Sequence, residues 1–369
     1  MRIGIDYHLL HSEWQGSGSR RFIEGLYQAA LALPNRHEWI FFVDDPLRVP
    51  QDWPGTPQWQ GFGTSSRLAR LAWKTSSRLR DELIDSYHMT FVAPLRKVCK
   101  EVVSIHDLLF ESHPQYFPRS SKFSLAPFVK RSAKRADIIL TISEFSKKEI
   151  IERYQIEPER ICLTPCAIDR VMFNPGDRQI SKRLVKDTYQ LDDFILSVGR
   201  IEPRKNHKSL VESYSYLKAT GKSLPKMVFV GGKDFGFLDL AALIQEKGLE
   251  KEIIFLHSVS DQMLPHLYRA ALVMAYPSFA EGFGIPPLEA MACGCPVITS
   301  GTTALPEVVG DAGRLIDPVQ WPTLAQALLD AIQSPSIQQD QIDKGIVQSS
   351  KFSWENSART LIAAYDRLS

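Results

Sequence analysis

A chain of 369 residues, 44% apolar and 23% charged, has room for two globular domains with a core each, and its composition is that of neither a disordered nor a fibrous protein. Its net charge of +2 gives no global pull toward nucleic acid or an anionic surface, so any electrostatic docking must come from local patches. Five cysteines, an odd number without paired Cys-x-x-Cys knuckles, exclude a disulfide scaffold and fit a reduced, cytoplasmic compartment. Cys162 and Cys166 have no histidine near them to complete a metal set, so all five read as packing residues. The N-terminus lacks a signal-peptide apolar region, and no apolar run is long enough to span a bilayer.

The pattern predicts a short buried strand over 2–6, then a polar loop, Gly16-Ser17-Gly18-Ser19-Arg20-Arg21, and a helix over 22–33 that ends at Pro34. A strand, a glycine loop and a helix make either a simple turn or a phosphate cradle; without a closing Gly-Lys-Ser/Thr this is no Walker A loop. A strand over 39–43 follows and ends at Asp44-Asp45-Pro46, which reads as a turn rather than a metal-bound diphosphate site.

Residues 67–80 carry Arg67, Arg70, Lys74, Arg78 and Arg80 without an acid, and Leu68, Leu71, Ala72, Trp73 and Leu79 form an apolar side at helical spacing. This is either a basic amphipathic helix that lies on an anionic membrane or a surface helix with solvated arginines. A buried strand over 101–105 delivers His106-Asp107-Leu108 to its carboxyl end, where open α/β sheets bind ligands. His106 is a functional candidate there, before an acid and an irregular segment over 110–118; Asp107 either orients it or caps the next turn. A basic helix over 120–136, a strand over 137–142, a helix capped by Ser143 and a further strand near 160–163 come next. Asn174-Pro175-Gly176-Asp177 reads as the interdomain linker.

In the second half, a strand over 194–198 leads into Gly199-Arg200-Ile201-Glu202-Pro203-Arg204-Lys205-Asn206 and a helix. Arg200 offers a fork and Lys205 a point charge where a diphosphate could sit and gain charge as a leaving group. Arg204 is expected to face solvent. Strands over 227–230 and 252–256 end in loops that carry Gly232 and Val259. Residues 334–341 read as a polar loop, and a final helix begins at 352–354.

The most informative stretch is 277–298, after a strand over 272–276. Gly282 and Gly284 open a loop, Pro286 and Pro287 suit the first helical positions, and Gly294 suits the C′ position after a helix that ends near Cys293. The amides at such a helix start form an anion site. Glu281 lies in the loop and Glu289 in the early helix. Acids beside an anion site either favour the positive helix end or accept hydroxyls of a sugar or ribose; the glycines, prolines and strand context favour a sugar nucleotide.

This stretch resembles the E-x7-E motif of the retaining glycosyltransferases of family 4, which have the GT-B fold. The Gly199-Arg200…Arg204-Lys205-Asn206 segment resembles that family's Gly-Arg…Arg-Lys-Asn motif, and His106-Asp107-Leu108 its His-Asp-Leu segment. The Gly16–Gly18 loop resembles its N-terminal loop, with Ser17 in place of the usual hydrophobic residue. The likeness covers nearly the whole chain and is densest over 194–310. It is closest to a bacterial branch that builds O-antigen and other surface polysaccharides, many of whose members are mannosyltransferases using GDP-mannose.

The resemblance implies an α/β protein of two Rossmann-like domains, with parallel sheets facing across a cleft. The expected extents are 1–173 on the acceptor side, 174–350 binding nucleotide sugar, and a helix over 351–369 crossing back. It implies that Glu289 holds the ribose and that Arg200, Lys205 and the amides of Phe283, Gly284 and Ile285 hold the diphosphate. Glu281 and His106 position the transferred sugar, Gly18 lets donor phosphate and acceptor approach, and Gly232 and Val259 flank the base. No metal or other cofactor is expected, and a donor phosphate oxygen serves as base. The implied partners are a nucleotide-sugar donor and a glycan or polyprenyl-diphosphate-linked acceptor, with peripheral membrane contact through 67–80 and no nucleic acid. Rival readings are a UDP-sugar transferase, another GT-B reaction such as epimerisation or phosphorolysis, or a non-catalytic sugar-nucleotide module. A Rossmann oxidoreductase is discounted, because the fingerprint of three spaced glycines with a later ribose acid is missing.

Overall fold

The computed structural model describes residues 1–11, 18–64, 66–117 and 125–369. Gly16 and Ser17 of the glycine loop, Pro118 of the irregular segment and the start of the expected helix at 120–124 lie outside the described residues.

The chain forms two compact units, Met1–Cys166 with Ser353–Ser369, and Ala167–Phe352. The expected linker at 174–177 belongs to the second unit. Buried Arg269 donates to the Asn174 carbonyl at 2.8 Å and the Met172 carbonyl at 3.0 Å, and Asp177 caps the helix Arg178–Tyr189 by accepting from the Gln179 and Ile180 amides.

The first unit holds a seven-stranded sheet in the order β3-β2-β1-β4-β5-β6-β7, with every pair parallel. Its strands are β1 (Arg2–Asp6), β2 (Glu38–Val43), β3 (Gln58–Gly61), β4 (Ser86–Thr90), β5 (Lys100–Ser104), β6 (Ile138–Thr141) and β7 (Ile161–Leu163). The helix Trp354–Asp366 packs in this unit against the helix Gly18–Ala32. Gly25 makes that approach possible, because a Cβ there would lie 2.2 Å from the Trp354 ring.

The second unit holds a six-stranded parallel sheet in the order β10-β9-β8-β11-β12-β13. These are β8 (Phe194–Val198), β9 (Lys226–Val230), β10 (Ile253–Leu256), β11 (Val273–Tyr276), β12 (Val297–Ser300) and β13 (Arg314–Ile316). All-parallel sheets covered on both faces need apolar strands, and the wholly buried β8 and β11 meet that demand. In each sheet the order reverses once, between β1 and β4 and between β8 and β11, so the crevice at the carboxyl ends of those pairs is the natural ligand site.

Three strands differ from expectation by being present: β3 and β4 carry too many polar residues for an apolar run, and β13 is only three residues long. Residues 334–341 are not a loop but the start of a helix, Pro335–Ser350. The basic segment is helical through Arg67–Ala69, a π-turn over Arg70–Lys74 and Thr75–Asp81. Its expected apolar side divides: Leu79 is buried, while Leu68 is 81% and Trp73 59% exposed. Nor are all its arginines solvated, since Arg70 turns inward to Asp44 at 3.0 Å.

Candidate active site

The β8–β11 junction gathers the charged residues of the second unit. Beyond β8 the chain turns at Gly199, whose φ of +148° suits glycine, and reaches a 3₁₀ turn, Pro203–Lys205. Asn206 follows in the left-handed region and donates its amide to the Pro277 carbonyl at 3.1 Å and the Pro318 carbonyl at 2.8 Å. These bonds tie the loop after β8 to the loop after β11.

Glu281 lies in that second loop and is only 7% exposed. Its Oε1 accepts from Lys205 Nζ at 2.7 Å, Tyr276 O–H at 2.9 Å and Ser278 Oγ at 2.6 Å. Its Oε2 accepts from Arg204 Nη1 at 2.7 Å. Burial alone would push the carboxyl up, but Arg204 and Lys205 outweigh it and hold it down at about 2. Glu281 is therefore a fixed carboxylate. Burial draws the Lys205 ammonium below its ordinary value, against the opposing pull of Glu281.

Arg204 is a correction to the sequence reading. It does not face solvent; its side chain is 12% exposed and bridges Glu281 to Glu202, with Nη2 on Glu202 Oε1 at 2.6 Å. Arg200 is the exposed cation, paired with Asp234 at 3.0 Å in the loop after β9. A basic run with three cations gives no sign of which one folds inward. The adjoining Pro203 and Asn206, which fix a tight turn between them, were the available hint.

The helix Ile285–Ala292 starts at Gly284, and Cys293 and Gly294 (φ +70°) end it. Gly284 holds φ +131°, which only glycine adopts readily, and Phe283, Gly284 and Ile285 lie at the helix start. The Phe283 ring rests edge-on against Phe352 at 5.5 Å. Glu289, 3% exposed, sits on the fifth helical position, and its Oε2 accepts from the Tyr268 phenol at 2.9 Å. Sequence reasoning missed Tyr268, Tyr276 and Ser278, because a hydroxyl's partner is set by packing rather than by spacing.

The base-side positions are less engaged. Gly232 accepts from the Ile201 amide at 2.9 Å, and a Cβ on it would meet nothing within 4 Å. Val259 is half-buried in the loop after β10. Gly18 begins its helix, and a Cβ on it would meet nothing within 4 Å among the described residues.

In the first unit, His106 follows β5 and is 7% exposed. Its Nδ1 lies 3.2 Å from Ser19 Oγ, and its ring is flanked edge-on by Phe22 and Phe91. Burial lowers it to about 4, so the imidazole is neutral at pH 7. Its Nε2 is buried without a hydrogen-bond partner among the described residues. Asp107 caps the next turn, accepting from the Leu109 amide at 3.1 Å. Among the described residues no cluster of potential ligands could hold a metal ion, and no helix is long and apolar enough to cross a membrane.

The chain is similar to known proteins along both units. Residues 180–348 match the family model of glycosyl transferases group 1, and residues 18–171 that of glycosyltransferase family 4. The O-antigen chain mannosyltransferase B of Escherichia coli is 35% identical over 304 residues, 81% of this chain and 77% of that protein. The O-antigen chain mannosyltransferase RfbU of Salmonella typhimurium is 29% identical, over 73% of each chain. Among solved structures, a sucrose-phosphate synthase from Thermosynechococcus elongatus superposes with a TM-score of 0.79 at 19% identity, covering 100% of this chain and 98% of that one. WaaG, a glycosyltransferase involved in lipopolysaccharide biosynthesis, gives 0.74 at 16% identity over 98% of each. The chain belongs to the family 4 glycosyltransferases and has their GT-B fold.

Proposed function

We propose that this enzyme moves a mannosyl group from GDP-mannose, with retained configuration, to a glycan or polyprenyl-diphosphate-linked acceptor in the building of a surface polysaccharide. The single observation behind the chemistry is the buried, ionised Glu281, held by Lys205 and Arg204 in the loop before a helix start that no side chain caps. The choice of mannose rests on the two O-antigen mannosyltransferases to which the chain is similar.

In this reading Glu289 accepts the ribose hydroxyls. Arg200, Lys205 and the amides of Phe283, Gly284 and Ile285 receive the diphosphate, whose charge rises as the sugar leaves. Glu281 accepts a hydroxyl of the transferred sugar, and Gly232 and Val259 border the base. The neutral His106 offers Nε2 to a sugar hydroxyl, and Gly18 leaves room for a ligand at its helix start. A donor phosphate oxygen takes the acceptor proton, so no protein nucleophile takes part, and fixed cations stand in for a metal. The exposed Leu68 and Trp73, beside Lys74, support peripheral contact of this segment with an anionic membrane.

The test is transfer from a panel of GDP-, UDP- and ADP-sugars by the full chain, with Glu281→Ala and Glu289→Ala alongside. GDP-mannose should be the donor used, and both variants should lose transfer. Turnover unchanged in either variant refutes the assignment, and preference for a UDP-sugar refutes the choice of donor.

A further inference from the structure

We propose that a cavity in the N-terminal unit is the subsite for one neutral sugar residue of the acceptor, with His8 and Thr90 as its hydroxyl-binding residues. The proposal rests on the glycosyl-transfer reading above and adds the acceptor's side of it. The cavity measures about 340 Å³, near the low end of the roughly 300–1,000 Å³ typical of ligand pockets, which suits one ring rather than an extended chain. It lies at the β1–β4 junction, the switch point of the first sheet: Asp6 ends β1 and Thr90 ends β4, and both line it.

Asp6 and His8 form an oriented pair. Asp6 Oδ1 lies 2.6 Å from His8 Nδ1 and also accepts the His8 amide at 3.2 Å. Burial would raise the Asp6 carboxyl, but the charges of His8 and Arg70 bring it below its ordinary value, so it is an ionised acceptor. That contact engages Nδ1, which leaves Nε2 as the ring nitrogen available to a sugar hydroxyl. Thr90 supplies an independent sign. Its Oγ1 is buried and has no hydrogen-bond partner among the described residues, although the residue lines an open cavity. A buried hydroxyl left unmade in the free protein is expected where a ligand completes it.

Charge argues for a neutral ligand. The one arginine among the described lining residues, Arg70, is committed to Asp44 at 3.0 Å and stacks over Phe62 at 4.9 Å. Among the described residues, no uncommitted arginine lines it to receive a phosphate. Leu71 and Phe91 give the cavity an apolar side, which the C–H face of a sugar ring can cover. Phe91 holds φ +62°, a left-handed conformation rare for an aromatic residue, and such strain concentrates at binding sites.

The test is steady-state transfer by the full chain from GDP-mannose to octyl glycosides of mannose and N-acetylglucosamine, with Thr90→Val and His8→Ala. Each variant should raise the acceptor KM roughly tenfold, the worth of one good hydrogen bond, with the donor KM unchanged. Thr90→Val should melt no lower than the parent, since its hydroxyl makes no bond in the free protein; a purely structural residue would not lose acceptor affinity at full stability. Unchanged acceptor KM in both variants overturns the proposal and leaves the transferase reading standing. A raised donor KM with normal acceptor KM also overturns it, by giving the cavity to the donor. If the parent neither binds nor uses any sugar nucleotide, the reading beneath it has failed, and this inference falls with it.

Discussion

Glu281 shows what a single residue can and cannot disclose from sequence. Its place in a glycine loop eight residues before Glu289 marked it at once, because few other chemistries ask for acids at an anion site. Its four donors were not legible, since they come from three loop positions and a strand end that only folding brings together. Arg204 shows the opposite failure. Beside Lys205 it looked like a spare surface cation, yet it is the bridge between two buried carboxylates. Removing one partner of a buried pair strands the other, so Arg204→Ala should cost about 3–5 kcal/mol in denaturant unfolding and reduce transfer sharply. Arg204→Lys keeps the charge but cannot reach both Glu202 and Glu281, and should restore only part of each. Full stability in Arg204→Ala would show that the bridge contributes little.

At the scale of elements, the strand–loop–helix–strand unit around β11 and β12 was legible almost to its ends, because glycines and prolines punctuate it. The strand β4 was not. Its sequence Ser86-Tyr87-His88-Met89-Thr90 alternates polar residues, yet all but the last are buried; His88 bonds Ser104 Oγ at 2.7 Å as well as the Tyr27 hydroxyl. A strand that buries polar residues has no hydrophobic signature, and with it went the cavity that Thr90 lines. Two glycine substitutions test the elements themselves. Gly284→Ala must hold φ +131° with a Cβ 2.9 Å from Leu305, and should lose about 1–3 kcal/mol and weaken donor binding together. Gly25→Ala drives a methyl into the Trp354 ring and should destabilise the first unit by about 1–3 kcal/mol while leaving donor affinity intact. Thermal unfolding and donor titration separate the two cases, and equal effects on donor binding would contradict the assignment of the site to the second unit.

For the whole molecule, alternating strand and helix patterns made two parallel α/β units readable, since a parallel sheet requires crossovers and each half contains several. The division point was harder: Asn174 and Gly176 look like linker residues, but Arg269 fastens that stretch to the second unit. Both units share a pH liability. Burial lowers His88 and His207 to about 3 and His106 to about 4, from 6.5. The unfolded chain takes up those protons near pH 6.5 and the folded chain does not, so stability is full above that pH and is lost as pH falls toward 4. The melting temperature should therefore drop steadily between pH 7 and pH 4.5; a flat profile would contradict the buried, neutral state of these rings. The claim on which the rest stands is that the second unit grips a sugar nucleotide through Glu289 and the Glu281 cluster. Calorimetric titration of GDP-mannose into the full chain tests it most directly: Glu289→Ala should weaken binding roughly 10- to 100-fold, the loss of hydrogen bonds to a buried carboxylate. Parent-like affinity in that variant would contradict the account.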